Sequence, residues 1–161
     1  MTSETGKEKK STSSKAQDAT ALLKADHEQV SELFIEYQEA DSKNKKKQLA
    51  EQICNELTVH AQIEEEIFYP AVKQALKDKE LIPEARVEHA TLRALISEVR
   101  GVEPDGEMFD AKIKVMQEYV KHHVKEEQNE MFPKAKATDL DMMELGSKMS
   151  QRKQELLAAR P

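Results

Sequence analysis

Two segments of this sequence match each other closely: residues 60–70 read HAQIEEEIFYP, and residues 123–133 read HVKEEQNEMFP. Each copy places a glutamate four residues after its leading histidine, a spacing that puts both side chains on one face of an α-helix. Each copy also closes on an aromatic residue followed by proline, so a kink or an early helix end is expected at Pro70. The duplication predicts two equivalent helices, each presenting one imidazole and one carboxylate.

The surrounding sequence has the apolar periodicity of amphipathic helices. Four stretches show it, and in each of them a histidine falls on the apolar face. Short connections at 78–82 and 101–106 favour antiparallel neighbours. The sequence thus predicts an all-α fold, an up-and-down antiparallel four-helix bundle, with an extra C-terminal helix at 139–157 that starts at Asp139. The four predicted bundle helices and their histidines are 18–40 (His27), 45–77 (His60), 83–100 (His89) and 107–133 (His123).

The length of 161 residues suits one domain with a single core. Residues 1–17 are polar and rich in Lys, Ser and Thr, which predicts a disordered tail. The predicted bundle occupies residues 18–135, and residues 136–161 form the C-terminal helix and tail. Neither a signal peptide nor an apolar run of bilayer-spanning length is present in the sequence, so a soluble, cytoplasmic protein without membrane contact is expected.

Composition argues against a nucleic-acid-binding protein and excludes an internal disulfide. Charged residues make up 35% of the chain, aromatic residues only 4%, and the net charge is −6. A negative chain without a basic, aromatic-rich face argues against nucleic-acid binding. The single cysteine, Cys54, excludes an internal disulfide and is expected to be a small buried apolar residue.

The candidate functional residues are the histidines and glutamates of the apolar faces. Packing the bundle would bury four imidazoles and two carboxylates, and unpaired buried charge is costly. A bound metal would remove that cost; a metal-free helical interaction module is the alternative. Nitrogen and carboxylate donors without a thiolate favour iron or manganese, and two glutamates can bridge two ions. A single zinc held by three or four of the groups is a further alternative. The candidate metal ligands are His27, His60, Glu64, His89, His123 and Glu127.

Adjacent histidines at 122 and 123 leave a choice, since each has a glutamate four residues later. The helical register of His122 runs through mostly polar residues, including Glu118 and Glu126. The register of His123 runs through apolar residues and matches the repeat. The pattern therefore predicts that His123 and Glu127 point inward and that His122 and Glu126 are exposed or peripheral.

These residues resemble the hemerythrin-like HHE cation-binding family. The resemblance covers about residues 20–135 and is specific in order and spacing. It implies a four-helix bundle around a non-haem di-iron centre with an oxo or hydroxo bridge, with two iron ions expected ahead of manganese or zinc. It also implies that the four histidines are terminal ligands and that Glu64 and Glu127 bridge the ions. The matching motifs are Asp26-His27-Glu28, His60 to Glu65 with Phe68-Tyr69-Pro70, Glu88-His89, and His123 to Glu127 with Phe132-Pro133.

The third helix departs from the family pattern. Oxygen-carrying hemerythrins have a further histidine four residues before the third-helix histidine, where this chain has Ala85. The missing ligand leaves an additional coordination position open to water or a nearby carboxylate. We therefore expect a protein that binds or senses oxygen, nitric oxide, peroxide or iron, and not a dedicated oxygen carrier. The nearby carboxylates are Glu28, Glu65, Glu84 and Glu88.

Two other functions remain as alternatives. The first is a di-iron enzyme that consumes peroxide or nitric oxide, because open positions allow metals to cycle between oxidation states. The second is iron storage or buffering, although a single bundle offers no evident cavity for a mineral.

Tyr119, one turn before His123, is expected to pack in the core, with a hydrogen bond toward the centre as the alternative. The expected partner is a small ligand such as oxygen, nitric oxide or peroxide; no protein partner can be predicted.

Overall fold

The computed structural model describes residues 17–159, and all regular secondary structure in that range is helical. The predicted all-α bundle with an extra C-terminal helix is confirmed. The predicted tail at 1–17 lies outside the described residues except for Gln17. The helices are α1 (Ala19–Glu39), α2 (Lys43–Ile63), α3 (Tyr69–Leu76), α4 (Leu81–Val99), α5 (Glu107–Glu126), α6 (Phe132–Lys136) and α7 (Met142–Ala158).

Single π-helical turns interrupt the second and fourth bundle helices at matching points. One turn, Glu64–Phe68, joins α2 to α3, and the other, Glu127–Met131, joins α5 to α6. Each turn ends two residues before a proline, Pro70 or Pro133. A proline ring crowds the carbonyl group four residues earlier and offers no N–H to it, so a widened turn relieves the clash. The expected interruption at Pro70 is thus a widened turn that begins at Glu64, one of the candidate ligands.

The bundle closes through four helix–helix contacts: α1 with α2, α2 with α4, α4 with α5, and α5 with α1. Side chains fix the helix starts: the Asp18 carboxylate accepts from Ala21 N–H, and the Ser42 hydroxyl accepts from Lys45 N–H. After α4 the chain turns at Gly101, whose φ of 75° suits glycine. The predicted start of the last helix at Asp139 is wrong, because Asp141 caps α7 through Glu144 N–H.

The apolar core consists of two clusters. On every bundle helix the buried face passes from one cluster to the other at the position of the histidine. Cys54 is buried, as expected, in the cluster that contains Phe34 and Ile53, which we call the far cluster. Burial raises the pKa of its thiol to about 11. Within residues 17–159, none of the helices combines the length and apolar character that crossing a bilayer requires. The far cluster includes Phe34, Tyr37, Ile53, Phe109 and Met116, and the tail-side cluster includes Phe68, Tyr69, Phe132, Leu145 and Met149.

Candidate metal centre

The six predicted ligands meet between the two apolar clusters. α1, α2, α4 and α5 each bring one histidine, and the two glutamates open the two π turns. Both glutamates are almost fully buried, at 0% and 1% exposure, and the most open of the six residues, His123, has only 12% of its side chain exposed. Polar groups at such depth require partners.

Each of the four imidazoles is oriented by a side-chain oxygen atom next to its Nδ1. Each Nδ1 lies within hydrogen-bond distance of a carboxylate or amide oxygen, which can only accept, so Nδ1 carries the proton. In the neutral ring Nε2 then presents a lone pair toward the middle of the bundle, the tautomer that metal-binding histidines adopt. The Nδ1–oxygen pairs are His27–Gln128 (2.7 Å), His60–Asp26 (2.9 Å), His89–Glu65 (2.6 Å) and His123–Glu88 (2.6 Å).

The site divides into two positions, each lined by two histidines and one oxygen from each glutamate. We call the His27/His60 half the first position and the His89/His123 half the second position. Because each carboxylate turns one oxygen to each half, both glutamates are placed to bridge two ions. The Nε2–oxygen distances are 3.1 Å for His27–Glu127 Oε1 and 3.4 Å for His60–Glu64 Oε2 at the first position, and 3.1 Å for His89–Glu64 Oε1 and 3.3 Å for His123–Glu127 Oε2 at the second.

Four buried atoms at the first position lack a hydrogen-bond partner: Nε2 of His27 and His60, Oε2 of Glu64 and Oε1 of Glu127. Two of these nitrogen–oxygen pairs are close, but they are not aligned as hydrogen bonds. Leaving such atoms unpaired costs about 1–3 kcal/mol for each. All four donor atoms fall within 4.8 Å of one another, so one cation would satisfy them together. The residues present therefore fit a metal ion.

The second position contains a residue that the sequence did not reveal as part of the site, Tyr69. Its hydroxyl lies 2.6 Å from Glu127 Oε2 and 3.0 Å from Glu64 Oε1. The same oxygen is 3.3 Å from Nε2 of both His89 and His123. Tyr69 follows Glu64 by five residues, a spacing that leaves the face of an α-helix but returns to it across a π turn. Periodicity of 3.6 residues could not find it.

Comparison with known proteins identifies the family. The Hemerythrin HHE cation binding domain matches residues 18–135. The chain belongs to the hemerythrin HHE cation-binding family. An HHE domain-containing protein of Mycobacterium kansasii has a similar solved structure, with 26% identity, a TM-score of 0.76 and coverage of 89% of each chain. A curated relative from Nostoc sp., a DNA nickase, is 27% identical over 111 residues, which are 69% of this chain and 31% of that protein.

The two positions of this HHE domain differ where the repeat differs. Phe132 follows Glu127 as Tyr69 follows Glu64, so the second copy has a phenyl ring where the first has a phenol. The Phe132 ring stacks on His27 with centroids 6.2 Å apart and planes 4° apart. The first position is therefore bordered by the apolar ring of Phe132, and the second contains the hydroxyl oxygen of Tyr69.

In the metal-free HHE domain, neighbouring carboxylates raise the pKa of His60 and His123. Burial opposes the charged imidazole, yet Glu64 and Asp26 raise the pKa of His60 well above its usual value. Likewise burial opposes ionisation of His123, but Glu127 and Glu88 raise its pKa to about 10. Metal binding must displace such protons, because only the unprotonated nitrogen is a ligand.

Other candidate residues fall outside the ring of ligands. His122 is exposed over 66% of its side chain, in agreement with the predicted helical phase. The expected core packing of Tyr119 is wrong, since 39% of it is exposed and it borders a cavity beside the histidines. The four carboxylates considered for the open position do not enter it: Glu65 and Glu88 hold His89 and His123 through Nδ1, and Glu28 and Glu84 are exposed.

Proposed function

We propose that this chain is a non-haem di-iron protein that binds or senses oxygen, nitric oxide, peroxide or iron. In this proposal one ion lies at the first position and one at the second, and Glu64 and Glu127 bridge them. The observation that carries the proposal is the division of each carboxylate between two histidine pairs. One ion would need only one such set of donors; two sets sharing both glutamates favour a dinuclear centre.

The donor set supports iron as the metal. The first position offers two imidazole nitrogens and two carboxylate oxygens in one compact group. The second offers two imidazoles and a Glu64 oxygen, with Glu127 Oε2 3.3 Å from His123 Nε2. Cys54 lies in the far cluster, away from these donors. Mixed nitrogen and oxygen donors without sulfur suit iron or manganese, whereas structural zinc prefers a closed set with thiolates. The Tyr69 hydroxyl oxygen is a further polar atom at the second position, 3.3 Å from Nε2 of both His89 and His123.

A small cavity supports a small ligand. About 30 Å³ of space lies beside all four histidines, walled by apolar side chains that include Leu57, Leu92 and Val124. This volume suits a small ligand, of about the size of one or two water molecules. Bound iron would supply reversible electron transfer to such a ligand. The residues around it hold the ligand imidazoles in place and limit the water that reaches them.

An enzyme that consumes peroxide or nitric oxide is the second candidate. Tyr69 favours it, because its hydroxyl group donates a hydrogen bond to Glu127 Oε2, with 2.6 Å between the two oxygens, inside the centre, where proton transfer to a reduced ligand would be needed. We further propose a cytoplasmic protein with no nucleic-acid partner. This chain covers 31% of the Nostoc nickase and carries a net charge of −6, so DNA nicking does not enter the proposal.

Metal analysis and an optical spectrum of aerobically purified protein test the proposal. We expect about two irons per chain and near-ultraviolet bands of a bridged ferric pair. Addition of azide, nitric oxide or peroxide should change that spectrum, and continued peroxide consumption would favour the enzyme. Zinc alone, or protein that takes up no iron, would contradict the di-iron proposal.

A further inference from the structure

The C-terminal helix reaches the metal centre through one side chain. Lys153 Nζ on α7 lies 2.5 Å from Asp26 Oδ1, and Asp26 Oδ2 lies 2.9 Å from His60 Nδ1. Only 5% of the Asp26 side chain and 24% of the Lys153 side chain are exposed. A continuous set of polar contacts therefore runs from α7 to a ligand of the first position.

Tight docking fixes α7 in this place. Leu145 and Met149 belong to the tail-side cluster. Gly146 lies against the chain before α1, where a Cβ atom would collide with the backbone of Gln17 and Asp18. Such close approach holds the helix against α1, the element that carries both Asp26 and His27. Lys153 is thus presented to Asp26 by a well-packed scaffold.

The charges behind the histidines differ between the two positions. At the first position, Nδ1 of His27 contacts the neutral amide of Gln128. Nδ1 of His60 contacts the Asp26 carboxylate, whose charge Lys153 offsets. At the second position, both histidines are backed by carboxylates. Arg93 pairs with Glu65 from a half-exposed side chain, and the exposed imidazole of His122 lies 3.8 Å from Glu88.

This difference has a direct consequence for metal binding. A carboxylate behind Nδ1 makes an imidazole a stronger donor and adds attraction for the cation. An ammonium on that carboxylate offsets both effects, and more so when it is shielded from solvent than when it is exposed and screened. The second position therefore has the greater excess of negative charge around its ligands.

We propose that Lys153 acts through Asp26 by offsetting the charge of its carboxylate, so that a divalent ion fills the second position before the first. The inference rests on the proposed two-ion centre. α7 then has a definite role: it keeps the His27/His60 ion the more weakly bound of the two. That ion is the one next to the apolar wall of Phe132.

Calorimetric titration of the metal-free, full-length protein with Co²⁺ tests this inference. Wild-type protein should bind two ions in two steps of unequal affinity. Lys153→Met should tighten the weaker step by about tenfold, the size of effect that outer residues have on metal sites. Lys153→Arg, which keeps the charge, should restore the wild-type difference. Lys148→Met removes an exposed charge from the same helix and should change neither step.

Two isosteric variants assign the steps to positions. Glu88→Gln, behind His123, should weaken the stronger step, and Asp26→Asn, behind His60, should weaken the weaker one. This pair decides the order of filling even if Lys153→Met fails to fold. A merely structural lysine would give the opposite sign, because its loss would loosen Asp26 and weaken binding.

The outcomes separate the two proposals. Wild-type protein that binds one Co²⁺ or none contradicts the two-ion centre, and this inference falls with it. Three results would overturn this inference alone. They are two steps of equal affinity, a stronger step that Asp26→Asn weakens, and a Lys153→Met variant that binds Co²⁺ no more tightly than wild type. Unequal steps with the expected shifts support it.

Discussion

Tyr69→Phe removes one buried hydroxyl and leaves the ring in place. The hydroxyl lies 2.6 Å from Glu127 Oε2 and 3.0 Å from Glu64 Oε1, and the residue is 0% exposed. Burial, with Glu127 and Glu64 beside it, raises the pKa of Tyr69 well above its usual value, so the metal-free protein keeps the donor proton. A hydrogen bond to a buried charged group contributes about 1.5–3 kcal/mol. We therefore expect metal-free Tyr69→Phe to lose about 2 kcal/mol of unfolding free energy, or about 4–8 °C in Tm for a protein of this size.

Urea unfolding of chelator-treated protein, followed by circular dichroism, measures this loss. Tyr119→Phe is the matched control, because Tyr119 is 39% exposed and its change should stay within about 0.5 kcal/mol. Equal stability of metal-free wild-type protein and Tyr69→Phe would refute the reasoning. It would mean that the phenol hydroxyl donates no stabilising hydrogen bond to the buried carboxylates.

Three other changes have definite expected results. His123→Ala should lower the iron content of purified protein, whereas His122→Ala should leave it nearly unchanged; the reverse result would contradict the helical phase. Gly146→Val should destabilise the protein by about 1–3 kcal/mol and expose α7 to limited proteolysis, because the added side chain collides with the backbone before α1. Burial opposes ionisation of Asp18, but hydrogen bonds from Ala21 N–H and a neighbouring hydroxyl lower its pKa, so its contribution is present above about pH 3.9 and is lost as the pH falls further. Asp18→Ala should thus cost about 1 kcal/mol at neutral pH, with the gap to wild type closing in acid, and Asp18→Asn should keep most of the stability.

The sequence was sufficient for the bundle and for the direction in which the candidate ligands face. Apolar spacing located four helices to within a few residues, and the duplicated segment indicated which of His122 and His123 faces inward. Both signals are local, because a helical repeat fixes the direction of a side chain without knowledge of its neighbours.

The groups around the ligands could not be predicted in the same way. Tyr69 reaches the centre only because a π turn changes the helical phase between it and Glu64. Asp26 and Lys153 are 127 residues apart in sequence, and only the docking of α7 on α1 brings them together. The start of α7 differs from the predicted one by two residues because Asp139 and Asp141 are both good N-cap residues, and only the folded backbone shows that Asp141 is the cap.

A crystal structure of the iron-loaded protein, with diffraction data collected on both sides of the iron absorption edge, tests the central claim most directly. The account predicts two anomalous peaks per chain, one at Nε2 of His27 and His60 and one at Nε2 of His89 and His123. Glu64 and Glu127 should each contribute one oxygen to both ions. A single peak, or two ions that do not share the glutamates, would contradict it.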